Sequence, residues 1–220
     1  MPDLGFAVES AEAVHFAAAP LLALKLRIEN RPAEEPIHSI VLRCQIQIDA
    51  PFRTYQPLEE EGLRDLFGER ERWGKTLKKV LWMTVSTTVP GFAGSTSIDL
   101  QLPCTYDLNV ASAKYFHAME SGEVPLLLLF SGTVYYEGTE GALQVAQIPW
   151  SKETSFRLPV RVWKEVMELY FPNQGFLILR RDVIDRLHRH KMARGMTTFE
   201  QALESLLPVD PAPRRTGGEA

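Results

Sequence analysis

The chain has 220 residues, 45% of them hydrophobic and 24% charged, with a formal net charge of −4. This is enough apolar material for one main core, and the acidic balance gives no general attraction to nucleic acid or anionic membrane, which leaves a protein or a small molecule as the expected partner. The longest unbroken apolar run, 124–130, is far short of the roughly 20 residues of a membrane-spanning helix, and no basic segment with a following hydrophobic stretch opens the sequence, so a cytoplasmic protein without a membrane span is expected.

The opening third alternates apolar and polar residues. A first strand is expected at 5–10. Leu22, Leu24, Leu26 and Ile28 then interleave with Ala23, Lys25, Arg27 and Glu29 over 21–29. Ile40, Leu42, Cys44, Ile46 and Ile48 interleave with Val41, Arg43, Gln45, Gln47 and Asp49 over 38–49. Successive strand side chains point to opposite faces, so a period of two sends one row into a core. Pro32 and Pro36 rule out a ladder through the connector. A helical insertion is expected at 57–79: Pro57 suits the first helical position, Glu59, Glu60 and Glu61 suit the positive end of the dipole, and Gly68 suits a C-terminus.

Strand grammar resumes at 80–89, followed by the loop Pro90-Gly91-Phe92-Ala93-Gly94-Ser95 and a strand with Ile98, Leu100 and Leu102 inward. Alternation is read on through 104–110. The stretch 111–119 mixes helix-favouring Ala and Met with strand-favouring Tyr115 and Phe116, and is read as an extension of that strand. Further strands are expected at 124–136 and 142–149. From Pro159 the period changes: Trp163, Val166, Met167 and Tyr170 stand at i, i+3, i+4 and i+7, the stripe of a docked helix. A basic helix is expected from Asp182 to about Arg194, ended by Gly195 and supported by Asp182–Arg186 and Asp185–Arg189 pairs. Thr197 and Glu200 have capping-box spacing ahead of a last helix. Residues 208–220, rich in Pro, Gly and charge, read as a disordered tail. The expected fold is mainly β (α+β), an antiparallel β-sandwich of about eight strands. Residues 1–158 form the sandwich with its helical insertion near 57–79, and 159–207 form C-terminal helices packed on it.

No catalytic, cofactor-binding or metal-ligating set emerges. Cys44 and Cys104 lack metal-type spacing and read as buried reduced thiols, with a bridge between them left open. His188 and His190, two apart on a helix, diverge by roughly 200° and do not share an ion. His117, Asp107 and Ser131 make a triad only on paper, without a nucleophile elbow. The Pro90–Ser95 loop leads into a strand rather than a helix and holds no phosphate. The basic helix lacks interleaved aromatics for nucleic acid and reads as solvated. What stands out is an aromatic concentration, Trp150, Phe156, Trp163, Tyr170, Phe171 and Phe176. It is read as the seam between helices and sandwich, and as the candidate protein-binding face.

Five segments carry a resemblance: Val41-Leu42-Arg43-Cys44-Gln45-Ile46, Val89-Pro90-Gly91-Phe92, Pro103-Cys104-Thr105-Tyr106-Asp107, Pro125-Leu126-Leu127-Leu128-Leu129-Phe130-Ser131-Gly132-Thr133 and Tyr170-Phe171-Pro172-Asn173. Over residues 3–207 the chain resembles a mainly actinobacterial domain family of unknown function. The resemblance implies association with gene clusters of uptake nickel-iron hydrogenases. It therefore suggests an accessory role with a hydrogenase subunit or maturation factor as partner, and it supplies no catalytic residues. The expected function is a non-catalytic accessory or scaffold protein that binds another protein. The alternative is an enzyme or small-ligand binder with a site between sandwich and C-terminal helices.

Overall fold

Eight strands form two antiparallel sheets in the computed structural model, which describes residues 2–105, 110–138 and 141–207. One sheet has the order β1-β2-β5, from β1 (Asp3–Ala13), β2 (Leu21–Arg31) and β5 (Ser95–Pro103). The other runs β4-β3-β6-β7, from β3 (Ile37–Ile48), β4 (Val80–Val89), β6 (Glu123–Glu137) and β7 (Leu143–Gln147). β8 (Glu153–Pro159) pairs with the first half of the β6 edge whose second half holds β7. This is the mainly β, α+β architecture that the alternation predicts.

The inward rows are those of period two. Leu22, Leu24, Leu26 and Ile28 of β2 are fully buried, as are Ile40, Leu42, Cys44, Ile46 and Ile48 of β3. Phe6 of β1 stacks on Phe130 of β6 at 4.1 Å, joining the two sheets across the core. In register, Leu42 faces Gly132, where the backbone adopts φ +139°. A Cβ built there would meet the Val41 carbonyl oxygen at 2.1 Å, and that oxygen belongs to a ladder that cannot step aside. Gly132→Ala is therefore expected to lose at least about 3 kcal/mol from backbone strain and clash together, read as a fall in the urea midpoint.

Strand ends decide where the helices go. β3 ends, β4 begins, β5 ends, β6 begins and β8 ends at one end of the sandwich, and all the intervening helices cap that end. Between β3 and β4 lie a 3₁₀ turn (Ala50–Phe52), α1 (Pro57–Gly62), α2 (Arg64–Phe67), a second 3₁₀ turn (Arg70–Arg72) and α3 (Trp73–Thr76). α4 (Val110–Ala118) precedes β6 and packs on α1, α2 and β4, while α5 (Val160–Tyr170) follows β8 and packs on β1 and β2.

Two readings of the sequence change. Residues 110–118 are helix, not a continued strand: Ser112, Tyr115, Phe116 and Met119 are all buried, at i, i+3, i+4 and i+7, while Lys114 and His117 face out. Cys104 and Thr105 lie beyond the end of β5, and the part of the expected strand at 106–109 falls outside the described residues. The eighth strand is instead β8, whose Thr154, Phe156 and Leu158 pair in register with Leu128, Leu126 and Val124.

The chain divides into two compact units, Met1–Gln174 and Gly175–Ala220, so α5 belongs with the sandwich. Within the second unit, α6 (Arg181–Ala193) ends at Gly195 with φ +64°, and α7 (Phe199–Glu204) follows. The cap of α7 is one residue later than its spacing predicts, since Thr198 Oγ1 accepts from Gln201 N–H at 3.2 Å. Asp182 pairs with Arg180 at 3.0 Å instead of Arg186, because both lie at the helix start where the chain leaves the helical path. The expected tail at 208–220 falls outside the described residues.

Candidate functional site

A buried polar cluster sits under the helical cap. Arg53 and Glu59 form an ion pair at 2.6 Å, with side chains 9% and 1% exposed. Arg53 also donates to the carbonyls of Ser121 (2.7 Å) and Glu123, which open β6. Glu59 accepts from the backbone N–H groups of Gln56 (3.1 Å) and Glu120 (3.0 Å). Burial pushes the Glu59 carboxyl up, but the hydrogen bonds from Gln56, Glu120 and Arg53, with the guanidinium charge, outweigh it and hold the group below its ordinary 4.5. Beside it Tyr55 donates to the Ala50 carbonyl at 2.8 Å, which leaves its oxygen to accept from Tyr115 at 2.8 Å. Burial raises both phenols, Tyr55 to about 12, so both stay protonated at any ordinary pH. Every charge here is turned onto main-chain ends of α1, α4 and β6. The cluster is a tie between elements, and sequence reasoning missed it; the only signal was the spacing of Gln56 and Glu59 around Pro57.

An aromatic row runs alongside. Trp73 meets Phe67 at 6.3 Å and Tyr55 at 5.4 Å, Tyr55 meets Tyr115 at 6.3 Å, and Phe116 follows. Phe116 lies between Trp82 of β4 at 4.8 Å and Trp163 of α5 at 5.2 Å, with His117 against Trp163 at 4.9 Å. Of the aromatics read around α5, Trp163 packs against rings of α4, with Trp82 of β4 on the other side of Phe116. Tyr170 also serves structure: its hydroxyl donates to the Val14 carbonyl (3.0 Å) and accepts from Ala17 N–H (3.0 Å), pinning the β1–β2 loop. Phe156 packs half-buried on the core, and Phe171 ends α5 through a backbone bond to Met167 at 2.7 Å. Phe176 lies in the second unit and is 37% exposed.

Trp150 is different. It is 96% exposed, in the short crossing from β7 to β8 along the β6 edge. Ile148 N–H donates to Gly132 (2.9 Å), Phe130 N–H to Lys152 (2.9 Å) and Lys152 N–H to Pro149 (3.1 Å), so the turn is fixed on both flanks. β8, seven residues and roughly 20 Å long, separates it from α5. The six aromatics thus do not form one face. Next to the turn, Leu143 and Val145 of β7 are 60% and 58% exposed.

Burial pushes the thiols of Cys44 and Cys104, both free, up to about 12. Desolvation against Trp163, with the nearby Lys164 charge, lowers the His117 pKa, and Asp107 falls outside the described residues. His190 shares a 3.2 Å hydrogen bond with Ser205, while His188 lies near Phe199. Among the described residues no group of three or more His, Cys, Asp or Glu is arranged to hold a metal, and no helix is long and apolar enough to cross a membrane. Between the sandwich and its helices is a cavity of about 20 Å³ bounded by Trp82, Cys104, Thr105 and Trp163, room for about one water.

Compared with known protein families, residues 1–214 match the model of a family of unknown function, DUF6084. The chain belongs to this family. No curated protein matches the chain. Among solved structures it is similar to a late embryogenesis abundant (LEA)-type protein, at 13% identity and a TM-score of 0.33 over 72% of this chain and 73% of that one. It is also similar to an ApaA-type protein from Bordetella pertussis, at 15% identity and a TM-score of 0.25 over 72% and 95%. A third likeness is to beta-glucosidase 3B from Thermotoga neapolitana, at 12% identity and a TM-score of 0.25 over 71% of this DUF6084 chain but 17% of the enzyme. Superpositions this weak support no inference about function.

Proposed function

We propose that this protein is a non-catalytic cytoplasmic accessory or scaffold protein that binds another protein through the Trp150 turn between β7 and β8. The supporting observation is Trp150, almost fully exposed on a turn fixed by backbone hydrogen bonds on both flanks. Exposing a whole indole in water is costly, while a rigid aromatic anchor loses little entropy on docking. The Arg53–Glu59 pair of the cap is itself spent on the main-chain groups of Gln56, Glu120, Ser121 and Glu123, as a structural tie is. The resemblance to a hydrogenase-associated family makes a hydrogenase subunit or maturation factor the partner to look for.

Native affinity purification tests the reading. The wild-type chain is expected to return with a hydrogenase subunit or maturation factor. Trp150→Ala should leave the urea midpoint within about 0.5 kcal/mol of wild type and weaken that capture by roughly thirtyfold, the loss of one anchor residue. Recovery of the chain alone under gentle conditions, together with intact hydrogenase assembly after its deletion, would remove this role.

A further inference from the structure

We propose that two copies of this chain pair through β7, antiparallel about a twofold axis at Val145, so that the β4-β3-β6-β7 sheet continues from one molecule into the other. This goes beyond the accessory role and does not depend on it.

The hydrogen-bond phase of β7 exposes the right groups. Gly138 N–H donates to the Ala142 carbonyl and Ile148 N–H to the Gly132 carbonyl, both at 2.9 Å. These bonds frame the β6–β7 ladder and turn the even-numbered residues of β7 towards β6. Backbone groups alternate sides along an antiparallel strand, so the N–H and C=O of Leu143, Val145 and Gln147 face the open edge. The side chains of those three residues are exposed, whereas Ala146 is buried.

An open edge is normally protected by charge, proline or a covering element. β7 reads Leu-Gln-Val-Ala-Gln, with no charge and no proline. Its packing is on β6, whereas β8 lies alongside β1, and β4 alongside β5, of the opposite sheet. β1 carries Asp3, Glu9 and Glu12, and β5 carries Asp99 and ends in Pro103. Self-pairing at those strands would bring like charges together or interrupt the ladder.

A second copy suits β7 because the strand is complementary to itself. With the axis at Val145, Leu143 lies opposite Gln147 of the second copy, Val145 lies opposite Val145, and no charges meet. About six backbone hydrogen bonds would form. Tyr135 is the cross-strand neighbour of Val145 on β6, so an apolar strip Tyr135–Val145 would run on into its symmetry mate. The contact closes on itself, as a twofold interface does, and ends before Pro149. Five residues per copy make a small interface, so the association depends on concentration.

Sedimentation velocity of the full chain, from low micromolar to the highest soluble concentration, reads the proposal. The wild type is expected to double its mass across the series. Val145→Lys, which places two ammonium groups face to face, should stay a monomer throughout; Val145→Glu should do the same, and an equimolar mixture of the two should recover the dimer. Hydrogen exchange on the wild type is a second readout independent of any variant. The amides of Leu143, Val145 and Gln147 should gain protection as concentration rises. A wild-type monomer at every concentration, an unchanged dimer in Val145→Lys, no association in the mixture, or concentration-independent exchange at those three amides would each overturn the pairing. Loss of partner capture in Val145→Lys with no change in wild-type mass would assign the edge to a strand of another protein and equally end it.

Discussion

Arg53→Met should destabilise the protein by about 3–5 kcal/mol, measured as a fall in the urea midpoint at unchanged slope. The substitution leaves the Glu59 carboxylate, 1% exposed, without its cation. It also removes the donors to the carbonyls of Ser121 and Glu123. Removing one partner of a buried pair costs far more than the pair is worth, because the remaining charge stays desolvated. Indeed the pair is itself imperfectly compensated, since Arg53 Nε is buried with no acceptor. The double variant Arg53→Met, Glu59→Leu is therefore expected to recover part of the loss, although the N–H groups of Gln56 and Glu120 would still lack an acceptor. If Arg53→Met alone cost less than about 1 kcal/mol, the cap would not depend on this tie.

The same pair sets a pH dependence. The folded pKa of Glu59 lies below its ordinary 4.5, so the unfolded chain binds its proton more readily. The stabilisation is complete above about 4.5 and is lost as pH falls through the lower, folded value. Glu59→Gln should lower stability at neutral pH and flatten the decline below that point. The expected signature is two stability curves that converge in acid, measured by urea titration at successive pH values.

How much of this was legible follows from periodicity. The rows Leu22–Ile28 and Ile40–Ile48 announced themselves because each strand has one dry and one wet face, and the structure buries the rows of period two. Helix α5 was equally open to reading, with Trp163 and Val166 buried in its stripe. Helix α4 was written just as regularly, in Ser112, Tyr115, Phe116 and Met119, but a serine opens the stripe and two aromatics favour strand, so local propensity masked the period. β8 escaped because Thr154 stands where the first inward residue belongs and its outward row is as polar as a loop. The Arg53–Glu59 tie was hidden for a different reason: ionic residues in a glutamate-rich insertion read as surface, and only tertiary packing of α1 against α4 and the start of β6 removes them from water. Trp150 was grouped with the α5 aromatics, but it stands exposed at the other end of β8, since proximity in sequence to α5 does not survive the length of that strand.

Phe116→Ala should cost about 3–5 kcal/mol, in the range of large-to-small aromatic changes in well-packed cores. Phe116 is fully buried and holds the rings of Trp82 and Trp163 apart, at 4.8 Å and 5.2 Å, with Tyr115 edge-on at 6.0 Å. These neighbours come from β4, α4 and α5, three elements that meet only at the cap, so collapse into the space would require moving a strand that is already laddered to β3. Truncating the ring would leave an apolar void between Trp82 and Trp163. Such voids stay dry and take up small aromatic molecules. Benzene is therefore expected to raise the melting temperature of Phe116→Ala while leaving the wild type unchanged. Phe116→Leu should show a smaller loss and no benzene effect. A variant that lost less than about 1 kcal/mol and ignored benzene would mean that the helices close over the gap, and that the cap is held by the Arg53–Glu59 tie instead of by its aromatic row.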